Sequence, residues 1–375
     1  MADLGVAQTL RSQLFQFAWQ KSEPLHALLC VPGVALPLIL GVHLKFNGTA
    51  VLLAGGAMTV GFGSYQQPLF YRSGAMVTAT LGIAVSALVG ALCRDSTLAL
   101  LVATVLWAFL YGMSNSISTA TAWVGQQCCV FLVVSSAAPS TPGTTHDLVL
   151  SALLRGAGVL AGGALQTCFL LLLRAWFPAA QTMFTSPDFD PARFQRTFLR
   201  EQLSLGSGAM QFALRITVTA VLAMALYRRQ SWTSAYWIGM TAMLIPKPEF
   251  TQTAARGLLR AFGTLLGAAL CTLLVIGLRP GGQWLATLTL VFLFGTYLLS
   301  NVNYGAFAIM LTGYICFLLA IAHQPPSEVL LHRVLATLAG SAIAMGVHML
   351  FLAGRRLLGV APPVLHSLEG RSNRA

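Results

Sequence analysis

Residues 256–277 read RGLLRAFGTLLGAALCTLLVIG. Two arginines one helical turn apart, Arg256 and Arg260, lead a run from Ala261 to Gly277 that carries no charge. A helix needs about 20 mostly apolar residues to cross about 30 Å of hydrocarbon, and it satisfies its own backbone polar groups while doing so. Neither this run nor the other apolar stretches show period-2 alternation, so they predict spanning helices rather than barrel strands.

Outward from this segment the chain keeps the same character. Of its 375 residues 56% are hydrophobic and 9% charged, and the mean hydropathy is +0.75. Soluble domains carry roughly 25% charged residues. A soluble fold of this composition would leave apolar surface over most of its exterior, whereas a bilayer covers such a surface. The expectation is an all-α polytopic membrane protein.

Before residue 256 lies a Pro-rich turn, Pro246-Lys247-Pro248-Glu249, and before that a short apolar segment, 232–245, and a longer one, 210–227. After it come 284–299, 304–321 and 332–351. The other side of the polar stretch 178–207 repeats this order: 25–43, a short 49–63, a polar turn ending in Pro68, then 72–92, 98–113, 116–134 and 149–176. Local matches support duplication: Tyr111-Gly112-Met113-Ser114-Asn115 with Tyr297-Leu298-Leu299-Ser300-Asn301, and the segment opening at Arg155 with that opening at Arg333. The division expected is a cytoplasmic segment 1–24, a first repeat 25–177, a cytoplasmic linker 178–208, a second repeat 209–354 and a cytoplasmic tail 355–375. That makes about twelve spans in two parallel six-helix repeats. Paired short segments in corresponding places point to a transport pathway; tilt or local thinning of the bilayer accounts for them equally.

The net charge is +12 and the pI about 9.9. With the amino terminus inside, fourteen of the 22 Lys and Arg fall on the cytoplasmic side and seven opposite, with Arg215 inside a span. The excess orients the chain by the positive-inside rule, and nucleic acid is not an expected partner. The seven cysteines form no C-x-x-C pair, so neither a metal site nor a disulfide framework is expected, nor any cofactor. In residues 1–24 no cleavable signal pattern is visible; Leu10, Leu14, Phe15 and Phe17 form either one face of an interfacial helix or part of a frayed tail.

Residues 246–270 resemble the signature of the fusaric acid resistance family, also called the aromatic acid exporters. The signature is a Pro-ended span (Pro246, Pro248), a short polar turn, then R-x-x-G-T-x-x-G, met here by Arg260, Gly263, Thr264 and Gly267. Arg215 in the preceding span and Tyr236-Trp237 at the start of the short one fit the same family. The resemblance covers about 210–352 well; the first half matches weakly, with Arg72 and Gly74 in place of the signature. It implies an inner-membrane exporter of small aromatic carboxylic acids coupled to the proton-motive force. Related plant proteins are anion channels. Larger members carry big soluble domains that residues 178–208 and 355–375 are too short to hold.

The residue chemistry points the same way. A charge inside a span usually faces a polar interior or reaches the interface, and a planar guanidinium suits a carboxylate. Arg215, Arg256 and Arg260 are therefore the expected anion-binding group, with interfacial anchoring as the plain alternative. Tyr236 and Trp237 are candidate stacking surfaces for an aromatic substrate, against an interfacial aromatic belt. Asn301, with its counterpart Asn115, is a candidate for bonding across the two halves or capping a broken helix. Acidic residues stay near span ends, which argues against a cation pump; Glu249 is the best proton-coupling candidate, ahead of His323 and His332. Gly263 and Gly267 allow close helix approach, as do Gly158 and Gly162. Gly61-Phe62-Gly63-Ser64 faintly resembles an intramembrane serine protease, which needs a His on a neighbouring helix; His348 is the one deep candidate, and no enzyme is expected. The partners expected are membrane lipid, a small organic anion, and a second copy or a periplasmic protein. An anion channel and a non-transporting scaffold subunit stand beside the exporter.

Overall fold

The computed structural model describes residues 16–66, 69, 73–137, 144–177, 193, 196–232, 234–322 and 326–357. The amino-terminal face through Phe15, the signature position Arg72, His323, the side chain of Glu328, most of 178–195 and the tail beyond 357 lie outside the described residues.

Thirteen α-helices follow in order: α1 Pro24–His43, α2 Asn47–Gly61, α3 Gly74–Leu92, α4 Thr97–Ser114, α5 Thr119–Ser136, α6 Thr145–Trp176, α7 Arg196–Gln202, α8 Gly208–Arg229, α9 Trp237–Leu244, α10 Phe250–Leu278, α11 Gly282–Leu299, α12 Tyr304–Ile321 and α13 Pro326–Leu357. Short 3-10 turns flank this series at Trp19–Lys21 and Phe62–Tyr65. No β-strand is present among the described residues.

The helices begin where the sequence supplies a side-chain acceptor for an orphan backbone N–H. Ser96 caps α4, Ser207 caps α8 and Asn303 caps α12. Ser118 with Thr121, and Thr144 with Asp147, form reciprocal capping boxes at α5 and α6. Pro24 and Pro326 open α1 and α13, where a missing N–H costs nothing. α10 ends at Arg279, held in the left-handed region (φ 43°), a conformation in which a non-glycine residue cannot continue the helix.

Nine of the described helices are long and apolar enough to cross a membrane: α1, α3, α4, α6, α8, α10, α11, α12 and residues 330–357 of α13. α2 and α9 are shorter, at 15 and 8 residues, and α5 is long enough but more polar. The chain is thus a multi-pass helical membrane protein. α10 shows how its two faces divide. Phe262, Leu265, Leu266, Leu273 and Ile276 are exposed, while Arg260, Gly263, Thr264, Gly267 and Cys271 are buried. The outward face is the one that lipid covers, since exposed apolar area on this scale is unusual in a soluble protein.

Within residues 24–176 the main helix pairs are α1·α2, α1·α6, α2·α6, α3·α5, α3·α6 and α4·α5, with smaller contacts α2·α3 and α3·α4. Within 208–357 they are α8·α9, α8·α13, α9·α13, α10·α12, α10·α13 and α11·α12, with a smaller contact α12·α13. Between these groups run α4·α8 with α1·α11, and α5·α9 with α2·α12. The two short helices are thus among those that touch the opposite group. Tyr297 on α11, fully buried, donates its hydroxyl to the Met58 carbonyl of α2 at 2.8 Å. Gln126 on α5 donates to the Met243 carbonyl of α9 at 3.2 Å.

Candidate functional site

The start of α8, the turn between α9 and α10 and the end of α13 meet around Arg215. This side chain is buried on α8. Its Nη1 lies 2.7 Å from His348 Nε2 and 3.3 Å from the Pro248 carbonyl, and its Nη2 donates to the carbonyls of Lys247 and Pro248. An arginine can only donate, so His348 Nε2 accepts and its proton sits on Nδ1, 3.2 Å from Thr253 Oγ1. Thr253 Oγ1 in turn accepts from the Lys247 N–H at 2.9 Å. Phe212 lies beneath the guanidinium, 5.2 Å from its ring centroid. The Pro246–Glu249 turn is therefore tied to α8, α10 and α13 at once. An open cleft lies over it, lined by Gly208, Gln211, Phe212, Arg215, Pro248, His348, Phe351, Leu352 and Arg355.

The other arginines of the expected group are placed differently. Arg256 is half-buried, its guanidinium 4.8 Å from the Tyr304 ring centroid. Its charge, together with burial, pushes the Lys247 ammonium down to about 7. Both Arg215 and Arg256 act electrostatically on Tyr111. Arg260, one turn further along α10, is 3% exposed and its Nε donates to nothing. Glu249 is exposed at the N-cap of α10 and accepts from Gln252 at 3.0 Å. Asn301 is exposed in the turn after α11, and the capping of α12 falls instead to Asn303, whose Oδ1 accepts from the Ala306 N–H. Asn115 is the C-cap residue of α4.

Tyr236 and Trp237 open α9 with their rings 5.0 Å apart. Trp237 is buried and its Nε1 is without a partner. Over its face, at 4.2 Å, lies the guanidinium of Arg333. Arg333 lies within α13 and is 2% exposed. The sequence reading started this helix at His332 and left Arg333 at its outer end. The signal that finds it is Pro326, a first-turn proline that moves the helix start back and draws Arg333 into the span. Arg155, its counterpart on α6, is half-buried, and both arginines are electrostatic neighbours of Tyr236.

The signature glycines make the contact expected of them. A Cβ on Gly263 would stand 2.9 Å from the Gly305 carbonyl oxygen, and one on Gly267 would stand 2.8 Å from that of Ile309, so α10 and α12 touch backbone to backbone there. Thr264 between them is buried, with its hydroxyl unpartnered.

Ser64 does meet a histidine, but it is His26, at 2.8 Å, rather than His348. The Ser64 hydroxyl donates to the Gly61 carbonyl at 2.6 Å. With that proton committed, His26 Nε2 is the donor to Ser64, which is the reverse of what a general base requires.

Residues 219–347 match the family model described as fusaric acid resistance protein-like. That segment runs from α8 into α13 and includes Arg256, Arg260, Arg333, Tyr236 and Trp237. Among curated proteins the chain is similar to the uncharacterized protein YhfK of Escherichia coli, 28% identical over 40% of this chain and 21% of the relative. An uncharacterized protein of Synechocystis sp. is 28% identical over 41% of this chain and 20% of its own length. An uncharacterized protein of Neisseria gonorrhoeae is 32% identical over 18% of this chain and 16% of its own. The matched stretch thus spans about a fifth or less of each of these relatives. No solved structure matches.

Proposed function

We propose that this chain, whose 219–347 segment carries the fusaric acid resistance protein-like match, exports small organic anions, aromatic carboxylates among them, across a bacterial inner membrane. The observation that carries the reading is the set of interior cations. Arg215, Arg260 and Arg333 are buried on helices of one membrane unit, and none has a carboxylate partner among the described residues. Such charges are costly unless something compensates them, and an anionic substrate does so during its passage.

In this reading the cleft over Arg215 is the cytoplasmic mouth. Arg215, Arg256 and Lys247 draw the anion in, Arg260 receives it, and the rings of Tyr236 and Trp237 stack on it. Glu249, exposed beside the mouth, is the group through which proton coupling would act. The architecture proposed is twelve spans in two parallel six-helix repeats, with both termini inside. What supports it is that α1–α6 and α8–α13 share six pairings in the same order, beside smaller unmatched contacts in each unit, and that the contacts between the units come in matched pairs. α2 and α9 take the same place in each unit and supply its short, protein-enclosed segment.

The test is flux of benzoate from proteoliposomes, with and without an imposed proton gradient. Gradient-driven efflux supports the exporter. Flux indifferent to the gradient supports the second reading, an anion channel, which the exposed position of Glu249 favours. No flux, together with a stable partner in a pulldown, supports a scaffold subunit instead.

A further inference from the structure

Arg333 occupies an unusual place. Its guanidinium is enclosed by α13, α9, α10 and α12, and the groups acting on it electrostatically are Cys316, Arg260, Tyr236 and Cys271. None of these is a carboxylate. The one cation among these groups is Arg260, itself buried. Nε and Nη1 of Arg333 and Nε of Arg260 are all buried without a hydrogen-bond partner. The Thr264 hydroxyl, one turn along α10 from Arg260, is unpartnered as well. Trp237 covers the flat face of Arg333. That contact leaves the in-plane N–H groups unused, and these are the groups that recognise an anion.

Two buried like charges within electrostatic reach of each other, each with unused donors, are unfavourable when nothing compensates them. The arrangement becomes favourable when one negative charge is placed among them.

We propose that Arg333 and Arg260, walled by Trp237, form a buried binding site for one compact monovalent anion, supplied either by the carboxylate of an organic acid or by a free halide. The site lies deeper than the cleft over Arg215. Arg260 reaches it about 15 Å along α10 from that helix's start, and Arg333 about 10 Å along α13, at 1.5 Å per residue. As a substrate subsite it rests on the anion-transport reading; as a binding site it does not.

The experiment uses the full chain, purified in detergent in a buffer whose only anion is a bulky sulfonate. Sodium benzoate and sodium chloride are titrated separately, and the readouts are the thermal midpoint and calorimetric affinity. Wild type is compared with Arg333→Met and with the milder Arg333→Lys. The expected result is a midpoint that rises with at least one of the two salts. Arg333→Met should abolish that rise, and Arg333→Lys should weaken affinity about ten- to a hundredfold, the worth of a lost hydrogen bond to a charged group. Before any salt is added, Arg333→Met should melt no lower than wild type, because it removes an uncompensated charge. A benzoate response assigns the site to the organic acid, and a response to chloride alone assigns it to a halide. If Arg333→Met does not fold, Arg333→Lys and Arg260→Met decide by affinity. Equal anion responses in wild type and all variants overturn the proposal, as does a wild type indifferent to both salts. Where benzoate gives the midpoint response, benzoate flux that keeps its concentration dependence in Arg333→Met overturns the site as a substrate subsite and leaves the transport reading standing. Binding lost in Arg333→Met, in a wild type that shows no flux, leaves the site and overturns transport.

Discussion

Adding one methyl group to Gly267 tests the packing on which the interior cations depend. The new Cβ would lie 2.8 Å from the Ile309 carbonyl oxygen and 2.8 Å from Thr312 Cβ. The oxygen belongs to the backbone of α12, so it cannot swing aside as a side chain does, and α10 and α12 must move apart. Overpacking of this kind costs about 1–3 kcal/mol. The same substitution at Gly346, in α13, meets nothing within 4 Å. There it should gain about 0.5–1 kcal/mol, since alanine gives up less backbone freedom in a helix than glycine. The two Gly→Ala changes are chemically identical and should have opposite signs. Thermal midpoints of Gly267→Ala and Gly346→Ala, measured side by side in one detergent, supply the comparison. If Gly267→Ala melts at or above Gly346→Ala, then α10 and α12 do not touch through their backbones and the close-contact account is wrong.

Arg215→Lys should lower the melting point, because one ammonium cannot reach the Lys247 and Pro248 carbonyls and His348 together, and each hydrogen bond to a charged donor is worth about 1.5–3 kcal/mol; an unchanged melt with reduced benzoate affinity would make Arg215 a ligand rather than a clamp. Lys247 is held down to about 7 from an ordinary value of 10.5 by Arg256 and by burial. Between these values the unfolded chain binds a proton that the folded chain does not, so stability should rise with pH across that window. Lys247→Met should flatten the rise, and a wild-type midpoint falling from pH 7 to 10 would contradict this account. For topology, Ser204→Cys should resist a membrane-impermeant maleimide applied to intact cells while Gly281→Cys reacts, with the unsubstituted chain as the background control; the reverse pattern would invert the proposed orientation.

Much of this architecture could be read from residue order because a membrane helix announces itself twice, by an uncharged run and by the residue that caps it. The segment 304–321 is reproduced as α12, and 25–43 becomes α1 with one further residue, Pro24. The misses lie at helix starts. Segments read from 98, 149, 284 and 332 begin earlier in the fold, at their caps or first-turn residues, and those read from 116 and 232 begin later. Starting the last span at His332 rather than at Pro326 left Arg333 at the membrane edge and hid the cation that is most deeply enclosed. The repeat singles out Asn301 as the match of Asn115, although only Asn303 stands immediately before the first turn of α12. His26 stands on a span before Ser64 rather than on a later one like His348, and nothing in local periodicity reports that α1 folds back beside the turn after α2. Arg215, Arg256 and Arg260 stand out in the sequence by charge, by spacing and by the family signature around them. Which donors each has left to offer depends on carbonyls and rings brought in from other helices.

α9 has eight residues, and Trp237 through Met243 are all buried. At 1.5 Å per residue it rises about 12 Å, well short of a hydrocarbon layer about 30 Å thick. The backbone leading into it, including Ser234 and Ala235, turns rather than spirals. Lipid does not tolerate such backbone, so protein must enclose it. At this point the electrical insulation of the membrane is therefore made of Trp237, Met240 and Met243 instead of acyl chains. Side chains, unlike a fluid bilayer, have discrete rotamers, so the leak through this wall can be set by a single residue.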